Sequence, residues 1–129
     1  MKDETRNWLR YADENYRSGK ILTESGLFNP ALQNIQQAME KSLKALFIEK
    51  GIPLQKTHSI GRLITLLEEK GFPIELELEK VELVDSIYLT SKYPVGSVLP
   101  DFHPDENLCI ELLEFARHVL HDVEIYLRD

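Results

Sequence analysis

Glycine and proline punctuate this chain more decisively than any other feature. They fall together at Gly26/Pro30, Gly51/Pro53 and Gly71/Pro73, and again across Pro94 to Pro104. Between them lie five segments, four of them long enough for several helical turns, and each carries apolar residues at spacings of three and four. The first helix is expected over about Asp3 to Ser25, with Trp8, Ala12, Tyr16, Ile21 and Leu22 on its apolar stripe. The second runs over Asn29 to Lys50, with Asn29 as cap, Pro30 in first position, and Leu32, Ile35, Met39, Leu43 and Leu46 inward. Gly51 then sits where a helix stops. A third, short helix begins near Thr57 or Ser59, buries Ile60, Leu63, Ile64 and Leu67, and ends at Gly71.

The fourth is expected from Ile74 to Ser91. Its ELELEK stretch alternates like a strand, but Val81, Val84, Ile87, Tyr88 and Ser91 keep helical spacing. The last runs from Pro104 to Leu127 on Leu108, Leu112, Phe115, Val119, Val123 and Tyr126. Short links between long amphipathic helices favour antiparallel neighbours. The expectation is therefore all-α: an antiparallel up-and-down bundle of four long helices and one short, forming a single domain over residues 1–129.

Composition removes several function classes. The 129 residues carry 22 acidic and 15 basic side chains, a net charge of −7, which repels phosphate backbones on average. Nucleic-acid binding would need a local basic cluster. A single cysteine, Cys109, allows neither a disulfide framework nor a multi-cysteine zinc site, and a reducing cytoplasm suits it. The N-terminus lacks the apolar core of a signal peptide, and no apolar run approaches a membrane span. A cytoplasmic protein without membrane association is expected. No phosphate-cradling, dinucleotide or nucleophile-elbow motif occurs, so no cofactor is expected.

Three polar constellations remain. The second helix presents Gln36, Gln37, Glu40, Lys41 and Lys44, with Glu40 and Lys44 one turn apart in the favourable ion-pair order. This is either a solvated face or a polar seam positioning a phosphate or a partner subunit. Lys56-Thr57-His58 opens the third helix, where free backbone N–H groups attract anions. Either Lys56 and His58 add donors there, or Thr57 caps the helix and His58 is structural. Ser91-Lys92-Tyr93-Pro94 closes the fourth helix, where Lys92 suits the dipole with or without a ligand. His103, His118 and His121 show no convergent metal-ligand pattern, and Cys109, between Leu108 and Ile110, reads as a small hydrophobe.

In order along almost the whole chain, these pieces resemble the HEPN (higher eukaryotes and prokaryotes nucleotide-binding) domain family. Trp8 with Ala12 is followed by Phe28-Asn29-Pro30-Ala31. The run Gln36 to Leu46 is similar to the family's QQAxEKxLKAL helix, Lys56-Thr57-His58 to its KTH turn, and Tyr93-Pro94 to its RYP element. The resemblance implies a helical bundle that pairs as a homodimer and partners a small nucleotidyltransferase, often in toxin–antitoxin modules. It also implies a nucleotide or RNA ligand, with Lys41, Lys44, Lys56, His58, Lys92 and Tyr93 as ligand groups: lysines for phosphates, the aromatic for a base.

Many relatives are metal-independent ribonucleases, with an arginine followed after four to six residues by a histidine. That spacing is absent here. Arg117 and His121 are separated by three residues, and Lys92 stands where the family has arginine. A lysine lacks the planar fork for bidentate phosphate contact. The expectation is a binding and assembly module without catalytic residues. The alternative is a ribonuclease at a dimer cleft, with His121 or His58 as base and Arg117 or Lys92 stabilising the transition-state charge.

Overall fold

The structure is a computed structural model that describes residues 1–92 and 103–128, with side chains for 1–88 and 103–128. Five α-helices make up its regular structure: α1 Asp3–Glu24, α2 Phe28–Glu49, α3 Ile60–Glu69, α4 Leu78–Lys92 and α5 Glu106–Leu127. No strand occurs among the described residues.

Helix α2 is the axis of the fold. Each of the other helices packs against it, so its buried residues go right round the helix rather than along one stripe. Leu32, Ile35, Met39, Leu43 and Leu46 are buried as the periodicity predicts, joined by Phe47. They meet Ile60, Leu63 and Leu67 of α3, Val81, Val84 and Ile87 of α4, and Leu112, Phe115, Val119 and Val123 of α5 in one contiguous core.

Helices α1 and α2 run antiparallel. Near the start of α1 the Lys2 N–H and the Thr5 hydroxyl both donate to the Glu49 carboxylate at the end of α2, at 3.0 and 2.9 Å. These bonds, the Lys2 backbone donor first, hold the Glu49 carboxyl below its ordinary range. Towards the other end, Gly19 lets the two helices approach closely. A Cβ there would lie 2.9 Å from Ile35 Cγ1.

The turn after α2 shows how the glycines end helices. Gly51 takes φ 68°, its N–H donates to Ile48 O, and the Ile52 N–H reaches Phe47 O at 2.9 Å. The left-handed conformation disfavours any side chain with a Cβ, and Ile52 folds back onto the core.

Three expectations are corrected. Asn29 does not cap α2. Leu27 holds that position without a side-chain bond, because its N–H closes the end of α1 on Leu22 O and its carbonyl accepts from Ala31 N–H. Helix α4 begins at Leu78, not Ile74. Residues 73–77 run without regular structure, with Ile74 buried, Leu76 against the core, and Glu75 and Glu77 outward. Only that half of the ELELEK stretch uses its alternation. Ile21 of α1 faces solvent, 62% exposed, and Thr23 is buried beside it with its hydroxyl on Gly19 O.

Candidate functional site

Because α2 is surrounded, several of its polar residues are interior ones. Gln36, Glu40 and Lys44 are all buried. A buried charge is tolerated only when paired and hydrogen-bonded. Lys44 Nζ donates to Glu40 Oε2 at 2.9 Å, one turn away. The other carboxylate oxygen, Oε1, receives Gln36 Nε2 at 3.2 Å and Gln37 Nε2 at 3.3 Å, and meets His58 Nδ1 at 3.0 Å. Gln36 Nε2 also donates to the His58 carbonyl at 2.8 Å, and its own oxygen accepts from Gln37 at 2.8 Å. No buried side-chain polar atom among the described residues lacks a partner. Burial alone would raise the Glu40 pKa. The Lys44 and His58 bonds, the Lys44 charge and the Gln36 bond outweigh it, so the carboxyl sits below its ordinary range and Glu40 is ionised at neutral pH.

His58 joins this interior to the surface. Its side chain is 59% exposed, and one ring face stacks on Tyr88 of α4, centroids 5.6 Å apart and planes 27° apart. Tyr88 itself is buried.

The N-terminus of α3 lies just beyond. Ser59, not Thr57, caps it, accepting from Arg62 N–H at 3.1 Å. The anion that the exposed N–H groups attract comes from the chain itself. Asp85 of α4 accepts from Ile60 N–H at 2.7 Å, Gly61 N–H at 3.1 Å and the Ser59 hydroxyl at 2.8 Å. Nothing in the spacing of Asp85 along α4 marks it for this role.

The six residues read from the sequence therefore have different fates. Lys44 is committed to Glu40. Lys41 donates to Asn15 Oδ1 at 2.8 Å and lies 5.6 Å from the centroid of the Tyr11 ring, which fastens α2 to α1. Lys56 is exposed at the turn and His58 is two residues on. Lys92 is the last residue of α4, one turn beyond Tyr88 along that helix. The Lys92 side chain and Tyr93 lie outside the described residues. Sequence reasoning placed Gln36 and Glu40 on the polar seam of α2 but missed Tyr88 and Asp85 as site-building groups.

Elsewhere, a groove of about 610 Å³ separates α1 from α5. Tyr16, Ile110 and Leu113 line it with Lys20 and Arg117 and the carboxylates Glu24, Glu106 and Glu114. His118 and Asp122 pair at 3.3 Å on another part of α5. No group of three or more metal-ligating side chains converges among the described residues. Cys109 is buried, and burial pushes its thiol pKa up, away from a reactive thiolate. No helix among the described residues is long and apolar enough to cross a membrane.

Two solved structures share this arrangement. TT1696 from Thermus thermophilus is 27% identical, with a TM-score of 0.77 over 95% of this chain and 98% of that one. ST0689, an archaeal HEPN homologue, is 24% identical, with a TM-score of 0.72 over 96% and 97%. No curated protein matches the sequence. Residues 5–126, from the first turn of α1 to the last turn of α5, match the HEPN domain, and the chain belongs to that family.

Proposed function

We propose that the chain is a binding and assembly module that pairs with itself, docks a small nucleotidyltransferase, and holds a nucleotide or other phosphate-bearing ligand at the turn before α3. The face between α1 and α5 carries the assembly reading. Tyr11 and Ile21 of α1 and Ile110 of α5 are exposed apolar side chains, and Ile110 lines the groove between the two helices. The groove between them mixes Lys20 and Arg117 with three glutamates, a charge pattern that a second copy of the same face can complement. A toxin–antitoxin setting with a cytoplasmic nucleotidyltransferase follows as the corresponding biological role.

The ligand reading rests on Lys56 and His58 at the surface, with Lys92 at the end of the helix that carries Tyr88. Lys44 contributes through Glu40 rather than by direct contact, since its ammonium is already neutralised.

Calorimetric titration with AMP, ATP and GTP tests the ligand reading. Binding weakened at least tenfold by the Lys56→Ala/His58→Ala pair supports it, and no heat from any nucleotide removes it. Co-purification with a nucleotidyltransferase encoded beside the chain tests the partner. RNA incubated in EDTA with the pure protein should stay intact; cleavage abolished by His121→Ala would instead establish the ribonuclease.

A further inference from the structure

We propose that Glu40 locks the neutral His58 ring in a single tautomer, so that Nε2 of this exposed side chain accepts a hydrogen bond from an O–H or N–H group on a flat ring ligand. The inference deepens the reading of this turn as the ligand site and rests on it.

A neutral imidazole carries one N–H, and its position follows from what each nitrogen meets. His58 Nδ1 lies 3.0 Å from Glu40 Oε1. That oxygen belongs to an ionised carboxylate and can only accept. Nδ1 must therefore hold a proton, and in the neutral ring Nε2 is then the nitrogen that keeps its lone pair. The carboxylate cannot turn away easily. Lys44 fixes one oxygen, and Gln36 and Gln37 donate to the other. Gln36 also grips the His58 carbonyl, so backbone and ring are registered against the same helix.

The ring is also fixed in plane. Buried Tyr88 supports one face of the ring, and the His58 side chain as a whole is exposed. An imidazole backed by a phenol ring is a platform on which another flat ring stacks. Glu40 is a positioning residue here; His58 is the group that touches the ligand.

The lock has a consequence for ligand chemistry. The ionised oxygens of a phosphate ester accept hydrogen bonds and offer nothing to a lone pair. An anion can meet Nε2 only when the ring is doubly protonated, among Glu40 and Lys44 of α2, Asp85 and Tyr88 of α4, and Lys56 of the turn. While the ring is neutral a phosphate belongs to the lysines, and Nε2 takes the hydroxyl or amino group of the ring-bearing part.

The test is long-range ¹H–¹⁵N spectroscopy of the histidine side chains in the full chain at pH 7.5, with His58 assigned by loss of its signals in His58→Gln. The ligand-free spectrum should show a protonated Nδ1 and an unprotonated Nε2. The opposite tautomer overturns the lock while leaving the ligand site itself standing. This reading needs no variant of Glu40, so it survives if Glu40→Ala fails to fold. Adenosine should then move the Nε2 signal at pH 7.5 and sulfate, an anion without an O–H, should not. Movement by sulfate alone overturns the assigned ligand class, and silence towards both overturns it together with the ligand reading.

Discussion

Lys44 Nζ lies 2.9 Å from Glu40 Oε2 inside the bundle, with side chains only 8% and 5% exposed. A pair buried this deeply costs desolvation on both sides. Its Coulombic gain repays that only while both partners are present. Lys44→Ala should therefore destabilise the protein by about 3 kcal/mol, because it strands a buried carboxylate. Replacing both residues by apolar ones, Glu40→Leu with Lys44→Met, should cost less than Lys44→Ala alone. Urea unfolding of the two variants checks the order. The reverse order would mean that the pair's attraction exceeds the penalty of burying it.

Acid should weaken the fold through the same carboxyl. The Glu40 pKa is lowered on folding from the ordinary value of 4.5. A depressed carboxylate contributes stability that is fully present above 4.5 and is lost as pH falls through the lower folded value. Urea midpoints should hold steady towards pH 5 and fall on further acidification. In Lys44→Ala that slope should be shallower, since one cause of the depression has gone.

Asp85 supplies the anion at the α3 N-terminus. Asp85→Ala removes three hydrogen bonds at once and should cost about 1–2 kcal/mol, as the loss of a helix cap does. It also uncovers an N-terminus that binds anions. Sulfate should restore more stability to Asp85→Ala than it adds to the native chain, measured as thermal midpoints with matched chloride controls.

Gly19→Ala offers a packing test. Alanine is favoured over glycine within a helix by about 1 kcal/mol, yet here its Cβ would stand 2.9 Å from Ile35 Cγ1. Overpacking of this kind costs about 1–3 kcal/mol. The variant should lose stability overall, and Ile35→Ala should cost less in its presence than in the native chain, as residues in contact do.

Helix count, core residues and family were legible because each is written locally. The Gly/Pro punctuation marks the turns, and the three-and-four spacing on α2 names the core residues that are found. The character of the site was less legible. The polar run on α2 reads as a solvated face when α2 has one buried side. It is interior only because four helices surround α2, which no local pattern encodes. The expected anion preference at the α3 N-terminus holds physically, but Asp85 comes from α4 and meets α3 only through the fold. Ile21 reads as core by spacing, yet the buried positions of α1 fall instead on Thr5, Ala12, Gly19 and Thr23, the last two beside the close approach to α2.

Sedimentation equilibrium of the purified chain at several concentrations tests the assembly account most directly. Pairing across α1 and α5 predicts a species of twice the 15.0 kDa chain mass, reduced to the single chain by Ile110→Glu with α-helical circular dichroism unchanged. A 15.0 kDa species at every concentration would contradict it.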